Sequence, residues 1–250
     1  FLSAKELEQM GFKIILYSYF SEFELENRFK SLSHFAKADL ILAAGHGQTD
    51  FLKKKLPGTR VEHFPLGVNT NYFFPKQDYI KFRIVHSGEN RKDFKTIFDS
   101  VEKLKILYPG LTVDLVGCFA IKEQLPRLEF VNCLPYLSDD ELREIYQRAH
   151  LQLLILEDGG SSNSLNEGMA CGLPIVVTDL SNISDYVTES SSIKVPRSDA
   201  GAIVSACRLI FENDSLRNTM SNVARREIQT YSWVNLKRKF DKLFEGIPGE

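Results

Sequence analysis

A chain of 250 residues suits one large domain or two smaller ones, and 43% hydrophobic with 26% charged residues is an ordinary soluble globular composition. A formal net charge of -2 argues against a general nucleic-acid binder, which is normally basic, and no apolar run approaches the length needed to cross a bilayer. Four cysteines without a CxxC pair and five histidines without ligand spacing point to buried, reduced thiols of a cytoplasmic protein rather than to a zinc site. No signal peptide is visible, and Phe1 in place of an initiator Met sets the expectation of a fragment or a processed product.

Strand and helix patterns alternate along the chain. Residues 12–17, 39–44 and 61–64 read as strands, with a short helix over 49–56. The segment 65–75, bounded by prolines and carrying Gly67, reads as a linker. The pattern then restarts with an apolar strand over 82–87 that ends in Gly88. Phe94, Ile97, Phe98 and Val101 fall at i, i+3, i+4 and i+7, one face of a helix. Strands follow over 112–116 and 128–132. Ser138-Asp-Asp-Glu141 is a capping box, opening a helix that buries Leu142, Ile145, Tyr146 and Ala149. The strand over 151–156 has almost no polar residue, as expected where both faces are covered, and 175–178 repeats that character. After Val195 the chain turns helical, with a stripe of Ile203, Ala206, Cys207 and Ile210, a helix over roughly 215–229 and another after Trp233. The expected fold is α/β. A doubly wound, parallel-sheet, Rossmann-like domain spans 76–230, a partial second one spans 1–70, and a C-terminal helix over 231–250 packs back toward the N-terminal part.

Three stretches carry chemistry. Asp158-Gly-Gly-Ser-Ser-Asn-Ser164 is a loop of small residues that feeds a helix N-terminus, where free backbone N–H groups and the helix dipole point at one spot. Asn163 and Ser164 offer side-chain donors there, and the amides of Ser164 and Leu165 add to them; an ordinary loop capped by Ser162 or Asn163 is the plainer alternative. Glu167 lies one turn in and can take hydroxyl hydrogen bonds from whatever carries the anion, so a diphosphate attached to a ribose meets both demands. Gly88-Glu-Asn-Arg91-Lys92 follows a strand and opens a helix, which puts two cations at the C-terminal edge of the sheet, where ligands of open α/β sheets bind; a solvated Arg-Lys pair is the alternative. Phe130-Val-Asn-Cys-Leu-Pro-Tyr136 exits a strand beside the same edge, either to read a base or as a plain strand exit with a buried Tyr. His34 and His46 read as surface or helix residues rather than catalytic bases. Lys53 to Lys55 and Lys237 to Lys239 read as solvated helix faces, with peripheral contact to an anionic membrane surface as the alternative. There is no G-x-S-x-G elbow, P-loop or H-E-x-x-H.

The order of motifs resembles the retaining glycosyltransferases of family 4, which have the GT-B fold. Six stretches carry the resemblance, over about residues 36 to 245: Ala38-Asp39-Leu40-Ile41; Phe64-Pro-Leu-Gly-Val-Asn69 running to Phe74-Pro75; Gly88 with Arg91-Lys92; Leu137 to Leu142 with Tyr146-Gln-Arg-Ala149; Asn163 to Asp179; and Tyr231-Ser-Trp233. The resemblance implies a GT-B type chain that moves a sugar from a nucleoside-diphosphate sugar to an acceptor hydroxyl with the anomeric configuration retained. It implies Arg91 and Lys92 as the catalytic cations on the diphosphate. It further implies Gly88, Cys133, Gly159, Gly160, Asn163, Ser164, Leu165 and Glu167 as donor-binding residues, with Glu167 on the ribose and the segment around Cys133 at the base. No metal or cofactor is expected. The donor is a UDP- or GDP-sugar as co-substrate, and the acceptor a glycan, a lipid-linked molecule or a small molecule. The expected location is cytoplasmic, peripheral to the inner face of the membrane.

Two departures stand out. The family often places a first glutamate eight residues before the second, and that position here is Gly159; Glu157, Asp158 or the Gly159 and Gly160 amides are left to meet the sugar. The N-terminal domain is short by roughly a hundred residues, a domain-sized length. A fragment that binds a sugar nucleotide without turnover, or pairs with a separate N-terminal subunit, is therefore a second reading. A GT-B epimerase and a doubly wound oxidoreductase are weaker ones, the first for want of acid/base groups and the second for want of a G-x-G-x-x-G.

Overall fold

The computed structural model describes residues 13–159 and 162–244. The chain divides into two units, one of Phe1–Leu66, Gly159–Ser161 and Leu180–Asp185, the other of Gly67–Asp158, Ser162–Asp179 and Tyr186–Glu250. The first unit is built on three parallel strands, β1 (Ile15–Ser18), β2 (Leu40–Ala43) and β3 (Val61–His63), in that order. All four residues of β2 are buried, as its apolar run requires of a central parallel strand. Helix α1 (Glu22–Arg28) was not foreseen, although Ser21 and Glu24 form a full capping box at its start. Helix α2 (His46–Lys55) begins three residues before the expected start, because the Gln48 side chain reaches back to the Gly45 amide at 2.9 Å and closes an extra turn. Leu25, Phe35, Ile41, Leu52 and Val61 form the core of this unit.

The second unit holds six strands: β4 (Arg83–Ser87), β5 (Thr112–Val116), β6 (Val131–Leu134), β7 (Leu151–Leu154), β8 (Ile175–Thr178) and β9 (Ser192–Val195). Every pairing is parallel and the spatial order is β6-β5-β4-β7-β8-β9. The chain therefore winds outward from β4 to β6, returns, and winds the other way from β7 to β9. The reversal leaves a crevice at the C-terminal ends of β4 and β7, the place where doubly wound sheets bind ligands. The helices are α3 (Phe94–Leu107), α4 (Asp139–Arg148), α5 (Asn163–Ala170), α6 (Ala200–Phe211), α7 (Asp214–Ile228) and α8 (Trp233–Phe244). The core joins Ile84, Leu115, Leu153 and Val176 from the sheet to Val101 and Ile203 from the helices. Strand β6 lies later than expected, with Cys133 opposite Leu115. Strand β9 was not foreseen; its two inner positions are only partly buried and one is Lys194, so it lacks the apolar run that marks its neighbours. Among the described residues no helix is long and apolar enough to cross a membrane.

The stretch expected to be a linker is instead tied down over most of its length. The Val68 amide donates to the Tyr231 carbonyl at 3.0 Å, and the Trp233 amide donates to the Val68 carbonyl at 3.1 Å. Arg225 on α7 donates to three carbonyls at once, of Thr70 (2.8 Å), Phe73 (2.9 Å) and Ala170 (2.8 Å). Gln147 takes the Phe74 carbonyl at 2.8 Å, and the Arg143 guanidinium lies over the Tyr72 ring, 4.4 Å from its centre. Proline and glycine mark a break in regular structure, which is present, but many of its backbone groups are hydrogen-bonded. Arg225→Ala strands three acceptors and is expected to cost about 3 kcal/mol. A urea midpoint measures this, and Arg225→Lys should recover little, since an ammonium lacks the planar fork that spans three oxygens.

Candidate functional site

The loop after β4 spans the reversal point. Gly88 has φ of +84°, a conformation that only glycine takes without strain, and its amide donates to the Val116 carbonyl at 2.9 Å. Arg91 also has a positive φ, +58°, which is unusual for a residue with a side chain. The loop is held to the end of β7: Lys92 pairs with Leu156, the Glu157 amide donates to the Arg91 carbonyl at 2.9 Å, and the Asp93 amide donates to the Ile155 carbonyl at 3.2 Å. Asp93 then caps α3 through the Thr96 amide and hydroxyl. The two cations differ. Arg91 is paired with Asp158 at 3.1 Å. Lys92 turns inward beneath Gly88, close enough that a Cβ there would lie 3.8 Å from its Cε. Desolvation pushes the Lys92 ammonium down to about 8, against a smaller opposing effect of the Cys118 thiol.

Behind this loop sits His86, with Nδ1 2.9 Å from the Leu153 carbonyl and Nε2 3.1 Å from the Gly88 carbonyl. Burial, and then the Lys92 charge, pushes its imidazole down to about 3, so the ring is neutral and gives its single N–H to one of these two oxygens. It links β7 to the loop from within the sheet. The Cys118 thiol also reaches the Gly88 carbonyl, at 3.6 Å.

Helix α5 supplies the second half. Ser162 caps it, accepting from the Leu165 amide at 3.4 Å, so of the amides expected to serve an anion Leu165's is already engaged; the Leu165 side chain is buried. The Ser162 and Ser164 hydroxyls are 2.8 Å apart, and Asn163 is exposed at the helix start. The Gly159 carbonyl accepts from Asn182 at 3.5 Å, while Gly160 lies outside the described residues. Gln152 of β7 donates to the Ser164 carbonyl at 2.8 Å and fixes the helix on the sheet. The approach is close: a Cβ on Gly168 would lie 1.9 Å from Gln152 Oε1, so only glycine fits there. A lone glutamine in an otherwise apolar strand was the sequence signal for this anchor.

Glu167, the next residue back, is half-buried and accepts from the Tyr146 phenol at 3.3 Å. Ser87, the residue before Gly88, lies near enough to the Tyr146 phenol to lower its proton affinity, against the larger upward push of burial. Glu167, Tyr146, Ser87, Gly88 and Lys92 thus form one continuous set of neighbours across β4 and the elements beside it. Cys133 is half-buried on β6, beyond β5, and acts electrostatically on Cys118. Tyr136 is 74% exposed rather than buried, with its ring against Gly117. A separate cavity of about 610 Å3 in the first unit is lined by Leu25, Phe29, Leu32, Phe51, Lys30 and Lys55 among others, and none of the residues expected to bind the donor lines it.

Burial pushes Glu167 from its ordinary 4.5 up to about 7; the Tyr146 bond opposes the rise and the Asp139 charge adds to it. The unfolded chain then binds fewer protons than the folded one between these two values, so stability falls as pH climbs through that window and the full deficit stands above it. Glu167→Gln is expected to match the wild type in thermal unfolding near about pH 4 and to exceed it near about pH 8, by on the order of 2 kcal/mol.

Comparison with known proteins places the chain. Residues 81–213 match the family described as "Glycosyl transferases group 1". An uncharacterized glycosyltransferase of Methanocaldococcus jannaschii is 19% identical over 186 residues, 72% of this chain, and the chain spans about half (52%) of that relative's length. Sucrose-phosphate synthase from Thermosynechococcus elongatus superposes with a TM-score of 0.80 at 15% identity, covering 97% of this chain and 70% of the other. Anabaena HepE in complex with UDP and glucose gives 0.79 at 13% identity (98% and 74%). The pneumococcal O-GlcNAc transferase GtfA in complex with UDP and GlcNAc gives 0.76 at 14% identity (97% and 53%). The fold, two parallel sheets with interleaved helices, is that of GT-B glycosyltransferases. Since the family match runs over more than half of its residues, this chain belongs to the group 1 glycosyl transferases.

Proposed function

We propose that the crevice at the β4–β7 reversal binds the nucleoside-diphosphate part of a sugar donor, and that the sugar passes to an acceptor hydroxyl with retained configuration. Two observations support this: the Tyr146 phenol holds Glu167, an acceptor suited to ribose hydroxyls, and Lys92, a cation suited to phosphate, lies beneath Gly88 at the end of β4. HepE and GtfA are similar folds seen with UDP, which favours a UDP-sugar over a GDP-sugar.

Lys92, Arg91, the Gly88 turn and the first turn of α5 at Asn163 and Ser164 take the diphosphate; Glu167 takes the ribose; the strand exit at Cys133 faces the base. Leu165 contributes by packing the helix, since its amide serves Ser162. In the reaction the bond from the anomeric carbon to the diphosphate oxygen breaks, and the oxyanion that forms is stabilised by charges already in place. The acceptor oxygen bonds to the anomeric carbon on the face the diphosphate leaves, and its proton goes to the departing phosphate. Fixed cations do here what a divalent metal does elsewhere, so the proposed reaction needs no metal and no enzyme nucleophile. Because the chain spans about half of its curated relative, a second reading is that it holds the donor half alone and requires further protein for transfer.

Binding is testable on this chain. UDP-glucose and UDP should raise its melting temperature more than GDP or ADP; no shift with any nucleotide overturns the proposal. Lys92→Ala should keep the fold and lower turnover at least about a hundredfold, since one such group is typically worth roughly 3 kcal/mol in the barrier. Glu167 must be ionised and Lys92 protonated, so affinity for UDP-glucose should peak between pH values of about 7 and about 8. Glu167→Gln removes the acid flank and Lys92→Arg the alkaline one; a flat wild-type profile contradicts the assignment.

A further inference from the structure

Tyr146 is fully buried, yet its one polar atom stands at the edge of the proposed site. The phenol has a single proton. An ionised carboxylate only accepts, so that proton goes to Glu167 Oε2. Ser87, the last residue of β4, lies near enough to the phenol to act on its proton affinity, so these neighbours run from β4 to the middle of α5. Each member is fixed by packing. The Tyr146 ring meets Phe73 edge-on at 6.4 Å, and the carbonyl of Phe73 is held by Arg225. Gly168, beside Glu167, is pressed against Gln152 and stops α5 from sliding. Engagement of Oε2 on the inner side sets the plane of the carboxylate and leaves Oε1 to accept from outside. The other titratable groups facing Glu167 are Asp139 and Cys171; Asp139 disfavours its ionisation, while Tyr146 is the hydrogen-bond donor that favours it.

We infer that Tyr146 is a positioning residue that aims the Glu167 carboxylate at the vicinal hydroxyls of a ribose and so makes the site prefer ribo- over 2′-deoxyribonucleoside diphosphates. This rests on the donor reading above. With Oε2 held by the phenol, Oε1 has two lone pairs for the vicinal hydroxyls, and a 2′-deoxy ligand leaves one of them unpaired in a partly desolvated place. The preference depends on the carboxylate plane, and that plane depends on the phenol.

Titration calorimetry with UDP and 2′-deoxy-UDP tests it on the whole chain at pH of about 7.5. The wild type should favour UDP by about tenfold. Tyr146→Phe keeps the ring, and should bring the two affinities within about twofold of each other and move the acid flank of the UDP-glucose profile to higher pH, since the carboxylate loses the donor that holds its ionised form. Ser87→Ala should shift both in the same direction by less. A Tyr146→Phe protein with wild-type melting temperature, wild-type preference and an unmoved flank overturns the inference. Should that variant fail to fold, an unchanged preference and flank in Ser87→Ala overturns it instead. A wild type that binds UDP and 2′-deoxy-UDP equally overturns it while leaving the donor reading intact; a wild type that binds neither removes both.

Discussion

The structure depends on the juxtaposition of β4 and β7, neighbours in space that are separated in sequence by two further strands and their helices. Parallel strands cannot be joined by a tight turn, so each must be reached by a crossover, and the direction of winding has to reverse somewhere. The exposed backbone there must find partners, and the loop from Gly88 to Asp93 provides them by pairing across to residues 155–157. His86 completes the junction from beneath, standing between carbonyls of the two sides. Apart from Cys133 on β6, everything assigned to ligand recognition in the second unit is mounted on this junction or on the helix that follows β7.

Low dielectric gives the site its character. Lys92 and Glu167 carry opposite charges and both are partly withdrawn from water, which moves their proton equilibria toward one another, to about 8 and about 7. Each is therefore held, before ligand arrives, near the edge of losing the charge it needs. Ligand groups of the complementary kind restore it: phosphate favours the ammonium, and hydroxyl donors favour the carboxylate. On the proposed donor reading, part of the binding energy of a nucleotide is relief of an unfavourable burial already present in the fold. Arg91 is arranged differently, with Asp158 as its partner at 3.1 Å, so a phosphate there competes with a carboxylate for the same guanidinium.

Much of this was legible in the residues. The apolar runs at β2, β7 and β8, the stripe on α3 and the capping box at Ser138 each declared their element, because burial on both faces and helix ends leave strong local marks. Helix α1 was missed although Ser21 and Glu24 carried the same capping signal, since its seven residues offer little periodicity. Strand β9 was missed because an edge strand with Lys194 needs no apolar run, and β6 was displaced because a half-buried edge strand has weak bounds. At the site, the residue types and their order pointed to the Gly88–Lys92 loop and to the start of α5. What could not be read was who touches whom over long separations: Arg91 with Asp158, Tyr146 with Glu167, and Ser162 already occupying the Leu165 amide. Such pairings come from strand order, which no local pattern encodes.

The clamp that Arg225 places on the carbonyls of Thr70, Phe73 and Ala170 sets where this protein can be divided. By composition, a cut after Pro75 looks natural, since the prolines seem to mark a hinge. Such a cut would discard two of the three oxygens that the guanidinium holds, together with the Val68 strand pairing to Ser232, and leave the Ala170 carbonyl at the end of α5 as the one that remains. An excised sugar-nucleotide half should therefore start at Gly67, carrying the proline-bounded stretch with it as an integral brace.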